Sequence, residues 1–357
     1  MGSDIIFIYI LIAAIICCFL PKEKQKIASI LLLFAMMIIC GIRAYDVGVD
    51  THNYVQYVRS SNESDYKWGP LYLLFKQIAL LFNNERTAFL MIMSALTYVP
   101  LMFIASKRSS YPALSVLFFI IPVADYFVQS MNIVRQSMAI VYVLGAAILI
   151  DQHKKKLAAL FLVLAFFLHP YTFIAVGLLF LDKIHLTKKG VTIILVVSCL
   201  LGLVGMLTGI RDVLNLMMLL TSDSSEGLIS KLGKYGGNYD IESNFSLIGQ
   251  LSHMLPLMAM CWLGANDKSM KSIYFKMMLI GCVITNIFVS VIYCERIAST
   301  YTIAQFLAVP MIYKTSSPLY KRLITLLIIT TSLLFIYNLK GNMQLDIWEP
   351  YRTFMED

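Results

Sequence analysis

The sequence predicts an all-α, polytopic membrane protein, and three observations carry that prediction. Of 357 residues, 59% are hydrophobic and 14% are charged, against roughly 25% charged in an average soluble domain. Several apolar runs approach or exceed the ~20 residues that cross a bilayer as helix. Lysine and arginine cluster in alternate connections between those runs, the bias that orients a chain in a membrane. Mean hydropathy is +0.75. An outer-membrane barrel would instead alternate polar and apolar residues over segments of about ten residues. The net charge of +8 is segregated by side and does not point to nucleic acid. The seven cysteines sit in or at the ends of apolar runs, where thiols act as small packing residues.

The elements follow in order. Ile5–Leu20 is a first span, read as an uncleaved membrane helix because no positive n-region or small-residue cleavage pattern precedes it. Lys22, Lys24 and Lys26 make the next loop cytoplasmic. Ile27–Ile42 returns outward and delivers Arg43. Leu71–Phe82 is too short to cross upright and is read as an interfacial or re-entrant helix. Ala88–Ser106 runs inward to Lys107 and Arg108, Pro112–Phe127 returns with a break near Pro122, and Ser130–Ile150 runs in again. Leu157–Leu181 is divided at His169-Pro170. Read as a hairpin, it keeps Lys183, Lys188 and Lys189 on the side of Lys154–Lys156, and proline suits the start of its second arm. Broken backbone at that depth requires protein or a water-filled cavity around it.

Val191–Gly209, Leu247–Leu263, Ile273–Cys294, Ile297–Tyr313 and Leu323–Tyr337 complete the crossings. The result is about ten transmembrane helices plus a re-entrant or broken hairpin at 157–181. It forms one integral membrane domain, 1–357, with outer-face loops 43–69 and 210–245 and an outer-face tail, 339–357. The inner loops are net positive and the outer net negative. The chain has no internal repeat, which disfavours transporters built from inverted halves.

This map gathers a polar constellation on the outer face. Arg43, Asp46, Asp50, Thr51, His52 and Tyr54 lie in one stretch at the lip of a membrane helix. Arg135-Gln136, Glu295-Arg296 and the tail Trp348-Glu349-Pro350-Tyr351-Arg352 fall on the same face. Each has a plainer reading: Arg43 as an interfacial anchor, Arg135 as a snorkelling side chain, Glu295-Arg296 as a local pair, His169 as a satisfied core histidine. Charges inside a membrane boundary are nevertheless rare and usually functional. Three arginines from separate spans suit an anionic, lipid-anchored ligand, since a guanidinium can hold two phosphate oxygens at once. Asp46 and Asp50 are four residues apart, but nothing near them in the sequence completes a metal site, and no metal or other cofactor is expected.

Arg43, Gly48, Asp50, Thr51 and Tyr54 form the pattern R-x4-G-x-D-T-x2-Y, which resembles the opening signature of the EpsG family of Wzy-like polymerases of bacterial surface polysaccharides. Asn132, Arg135, Gln136 and Ala139 are similar to its second motif. His169, Arg296 with Tyr301, and Pro350-Tyr351 follow in the family's order. Proline after His169 departs from the small residue frequent there.

The resemblance implies a GT-C-like membrane glycosyltransferase of the bacterial inner membrane with its site facing outward. It implies transfer of a polyprenyl (undecaprenyl) diphosphate-linked glycan chain to a hydroxyl of another lipid-linked repeat unit. Partners would be that lipid-linked oligosaccharide, the bilayer, a flippase and a chain-length regulator. In this scheme Arg43, Arg135 and Arg296 bind diphosphate. Asp50 or His169 is the base, with Glu295 a further catalytic candidate. Thr51, Tyr54, Gln136, Tyr301 and Tyr351 contact glycan. Rival readings are a glycan ligase using the same donor, a lipid-linked oligosaccharide flippase, and an acyltransferase using His169.

Overall fold

The computed structural model describes residues 3–48, 50–60, 69–121, 126–207, 247–288, 294–338 and 351–356. Among these the chain is helical throughout, and its one strand-like feature is an isolated antiparallel bridge between Arg43 and Thr353. In order the helices are α1 Ser3–Phe19, α2 Lys22–Gly41, α3 Thr51–Arg59, α4 Pro70–Ala79, α5 Glu85–Arg108, α6 Pro112–Ile120, α7 Tyr126–Asn132, α8 Val134–Asp151 and α9 Lys155–Leu168. A 3₁₀ helix, Pro170–Lys183, follows. Then come α10 Lys188–Leu207, α11 Leu247–Gly264, α12 Asp267–Lys271, α13 Ile273–Ile287, α14 Cys294–Thr302, α15 Gln305–Thr315 and α16 Pro318–Asn338.

Among the described residues, α2, α5 and α8 are long and apolar enough to cross a membrane. Ile5–Phe19, Met254–Gly264 and Ile273–Ile287 are shorter apolar helices. Three expected crossings are broken into shorter pieces. Pro112–Phe127 divides into α6 and α7, with 122–125 outside the described residues. Ser130–Ile150 is interrupted at Ile133, so α8 starts afresh at Val134. Ile297–Tyr313 turns at Ile303-Ala304, between α14 and α15. Loop 210–245 lies outside the described residues.

The surface is that of a membrane protein. On α9 the buried positions are Ala158, Leu162, Ala165 and Leu168, while Leu157, Leu160, Val163, Phe166 and Phe167 are exposed. On α10, Ile193, Ile194, Val196, Val197, Leu200 and Leu201 face outward. Large apolar side chains outside and small ones within are what lipid solvation and close helix packing require. At Gly202 the backbone comes so close to α13 that a Cβ there would lie 2.0 Å from the Asn286 carbonyl oxygen.

The chain does turn back at His169-Pro170. Lys155, starting α9, pairs with Asp182 at the end of the 3₁₀ arm at 2.5 Å. The arm buries Thr172, Ala175, Leu178 and Leu181. That spacing of three is the repeat of a 3₁₀ helix, so the whole arm presents one face to the bundle. Tyr301 Oη donates to the Ile174 carbonyl at 2.6 Å and Lys276 Nζ to the Leu181 carbonyl at 2.9 Å.

The polar residues sort to two ends of the bundle. At one, Lys22 lies over the Tyr111 ring, Tyr274 Oη donates to Asp151, and Lys188 lies over Trp262 and Tyr320. At the other, Arg59 pairs with Glu85, Arg86 lies over Tyr45, and the tail joins the loop after α2. The hairpin returns Lys183 and Lys188 to the first end.

Candidate functional site

A small second core supports the site. Tyr54, Val55, Tyr57 and Val58 of α3, Tyr72, Phe75 and Ala79 of α4, and Phe89, Leu90 and Met93 of α5 pack with Val134, Met138 and Ala139 of α8 and Leu168 of α9. The α4 positions recur at the helical interval, so this ten-residue helix buries one stripe. The core brings the start of α8, the start of α3 and the tip of the hairpin together.

The first motif packs directly on the second. Gly48 has φ +96°, and a Cβ there would lie 2.7 Å from the Met131 carbonyl oxygen and 3.3 Å from Asn132 Oδ1. Only glycine combines this backbone conformation with this approach at low cost. Arg43 is 2% exposed. Its Nε donates to Thr51 Oγ1 at 3.1 Å and its Nη1 to the Cys40 carbonyl, while Thr51 Oγ1 donates to the Val47 carbonyl at 2.7 Å. These bonds fold 43–51 into a compact turn. Among the described residues Arg43 Nη2 has no hydrogen-bond partner.

Asp50 caps α3 without bonding the helix N–H groups, the usual task of aspartate there. Its carboxylate instead bonds the Asn53 side chain and faces Arg296 and Arg135. Burial pushes Asp50 up from the ordinary carboxylate range, against the opposing pull of Arg296, Asn53 and Arg135. Both arginines also act electrostatically on His169 at the hairpin tip. His169 Nδ1 is buried and has no hydrogen-bond partner among the described residues. Arg135 and Arg296 thus lie within electrostatic range of both Asp50 and His169, four residues drawn from four segments.

Arg135 lies in the first turn of α8, where the helix dipole is positive and cations are disfavoured. Its guanidinium carbon sits 4.5 Å from the centre of the Tyr72 ring. Tyr54, 3% exposed, meets the Arg135 backbone N–H and lies in the electrostatic field of Asp50. Gln136 Nε2 donates to the Arg296 carbonyl at 2.6 Å and to Ser299 Oγ at 2.7 Å, tying the two arginine-bearing helices together.

The remaining expected residues occupy supporting positions. Thr51, Tyr54, Gln136 and Tyr301 are at most 7% exposed and bonded within the protein. Tyr351 Oη donates to the Ile39 carbonyl at 2.7 Å. The tail backbone is clasped to the loop by Ala44 N–H to Arg352 O and Phe354 N–H to Ile42 O, both 2.9 Å. Arg352 pairs with Asp46, which gives Asp46 an organic partner in place of a shared site with Asp50. Arg43 stands among Cys40, Tyr351, Tyr54 and Tyr98. Glu295 belongs to α14, but its side chain lies outside the described residues, as do Trp348–Pro350. Among the described residues no three of His, Cys, Asp and Glu gather as a metal site would require.

Sequence reasoning missed Tyr72 and Ser299. Neither carries a signal: the chain has 20 tyrosines, and a lone serine in a helix is ordinary.

The EpsG family model matches residues 26–353, from the helix before Arg43 through the clasped tail. No curated protein and no solved structure matches the chain. The chain belongs to the EpsG family of Wzy-like polysaccharide polymerases.

Proposed function

We propose that this protein polymerises surface-polysaccharide repeat units at the outer leaflet of a bacterial inner membrane. A polyprenyl-diphosphate-linked glycan is the donor and a hydroxyl of a second lipid-linked repeat unit is the acceptor. The observation that carries this reading is that Arg135 and Arg296, on helices tied together by Gln136, both act electrostatically on Asp50 and His169. An arginine in the first turn of a helix opposes the dipole. A bound diphosphate would offset that cost by meeting arginine and helix N-terminus together.

In the reaction, the acceptor oxygen attacks the donor's anomeric carbon. The bond from that carbon to the diphosphate oxygen breaks, and polyprenyl diphosphate leaves with the electron pair. Arg135 and Arg296 stabilise the charge that develops on it. The hydroxyl proton passes to Asp50 or His169. Asp50 gains basicity as substrate binds, because the arginines that hold its carboxylate ionised turn to phosphate. Glu295 is retained as a further catalytic candidate on the helix of Arg296. Arg43 serves the diphosphate site indirectly, by folding the loop that carries Asp50. Thr51, Tyr54, Gln136, Tyr301 and Tyr351 shape the walls that meet glycan.

The test is polymerisation by purified protein from lipid-linked repeat units, with a chelator present. Polymer ladders should form. A requirement for added metal would overturn the mechanism, and flipping without polymer would favour a flippase. A single transfer to a different lipid acceptor would favour a ligase. Arg135→Lys keeps the charge but loses the fork, and kcat/KM should fall about 10²-fold, in the range of a lost transition-state donor. Ladders of normal length from that variant would remove Arg135 from the site.

A further inference from the structure

The geometry points to Tyr72 as the positioning residue that locks the diphosphate-binding arginine to the hairpin tip. It rests on the proposed role of Arg135. Tyr72 is fully buried and comes from α4, a helix outside every family motif in the sequence. Two contacts define it. Its ring lies beneath the Arg135 guanidinium at 4.5 Å, and its hydroxyl donates to the Leu168 carbonyl at 2.8 Å.

The second contact has a clear cause. Leu168 is the last residue of α9, and the last carbonyls of a helix have no intrahelical donor. Pro170 brings no N–H to the turn, and the Thr172 N–H goes to the His169 carbonyl at 3.1 Å. The phenol therefore supplies the missing donor at the residue before His169. It fixes the place where the chain reverses. The first contact holds the arginine against the ring, a favourable site for a cation, and the phenol oxygen also accepts a hydrogen bond from the Arg135 side chain. The ring is itself braced edge-on by Phe75, with centroids 5.6 Å apart. One side chain thus sets the separation between the arginine that binds the leaving group and the histidine at the tip.

The ring and the hydroxyl separate by mutation. Tyr72→Phe keeps the ring and loses the hydroxyl bonds to Leu168 and Arg135. Tyr72→Leu loses ring and hydroxyl alike. Binding of undecaprenyl diphosphate to the purified full-length protein, polymerisation kcat and KM, and amide hydrogen exchange are measured for both, for wild type and for Arg135→Lys. In Tyr72→Phe the carrier dissociation constant should stay within about twofold of wild type, because the ring remains under Arg135, kcat should fall about tenfold for loss of the hydroxyl bonds, and exchange at residues 168–172 should speed up. In Tyr72→Leu the dissociation constant should also rise about 3- to 30-fold. The conservative phenylalanine thus rescues binding but not turnover, a split that general destabilisation does not produce. If Arg135→Lys weakens carrier binding while both Tyr72 variants bind and turn over like wild type, the Tyr72 inference is wrong and the Arg135 reading stands. If Arg135→Lys binds carrier as wild type does, the reading beneath it fails. Equal loss of binding in Tyr72→Phe and Tyr72→Leu would also sink the inference, because the ring would then contribute nothing.

Discussion

At the scale of single residues, the charged groups at the end of the bundle that carries the first motif divide into two kinds. Arg43 is enclosed and bonded to Thr51 and the Cys40 carbonyl, so it shapes the turn that carries Asp50. Arg135 and Arg296 face Asp50 and His169. Asp50 supplies a pH test. Burial raises its carboxyl above the ordinary value, so ionising it costs stability. Its contribution to folding is fully present below the unfolded value of about 3.9 and is lost as pH rises through the folded value. A base needs the ionised form, so activity should climb over that same window. The acid limb of kcat/KM against pH should therefore lie above about 3.9. Asp50→Asn should abolish that limb and lower kcat about 10²- to 10⁴-fold. An unchanged profile in Asp50→Asn would move the base assignment to His169.

At the scale of elements, the two opening motifs work as one unit. The turn after α2 rests on the end of α7, and Gly48 is the contact between them. Gly48→Ala forces a side chain into a left-handed backbone conformation and against the Met131 carbonyl oxygen. It should destabilise the protein by about 1–3 kcal/mol, a cost typical of such strain. A lowered thermal midpoint, with the residual activity restored at lower temperature, would be the signature. The breaks at Ile133 and Ile303-Ala304 have a related meaning. Each ends one helix and starts another, and the break at Ile133 puts a helix N-terminus at Arg135. The second arm of the hairpin is a 3₁₀ helix, so Thr172, Ala175, Leu178 and Leu181, three apart, share its buried face.

At the scale of the whole molecule, the hairpin decides sidedness. With Lys155 and Asp182 paired, Lys188 lies at the end of the bundle that also holds Asp151 and Tyr274. Tyr45, 39% exposed, lies at the other end. In intact cells a cysteine at Lys188 should resist a membrane-impermeant thiol reagent, while one at Tyr45 should react. Labelling at Lys188 would mean that 157–181 crosses fully. The tail clasp belongs to this scale too. Bonds from Tyr351, Arg352 and Phe354 to Ile39, Ala44 and Ile42 close the far end of the chain onto the loop of the first motif.

The sequence by itself determined the membrane class and pointed to the segregation of charge, a break at His169-Pro170 and the family. These depend on composition, on local period and on short motifs, which a linear chain displays directly. It also singled out Asp50, Arg135, His169 and Arg296, because charged residues beside apolar runs are conspicuous. Only the tertiary structure decided that Arg43 is buried and bonded to Thr51 and the Cys40 carbonyl. Spacing along a chain sets neither the direction of a side chain nor its burial. Only the tertiary structure joined Tyr72 to the group, because its contacts with Arg135 and Leu168 span distant parts of the chain. The helix breaks were hidden for the same reason: residues such as Ile133 and Ala304 carry no turn signal, and packing at the site interrupts the helices there.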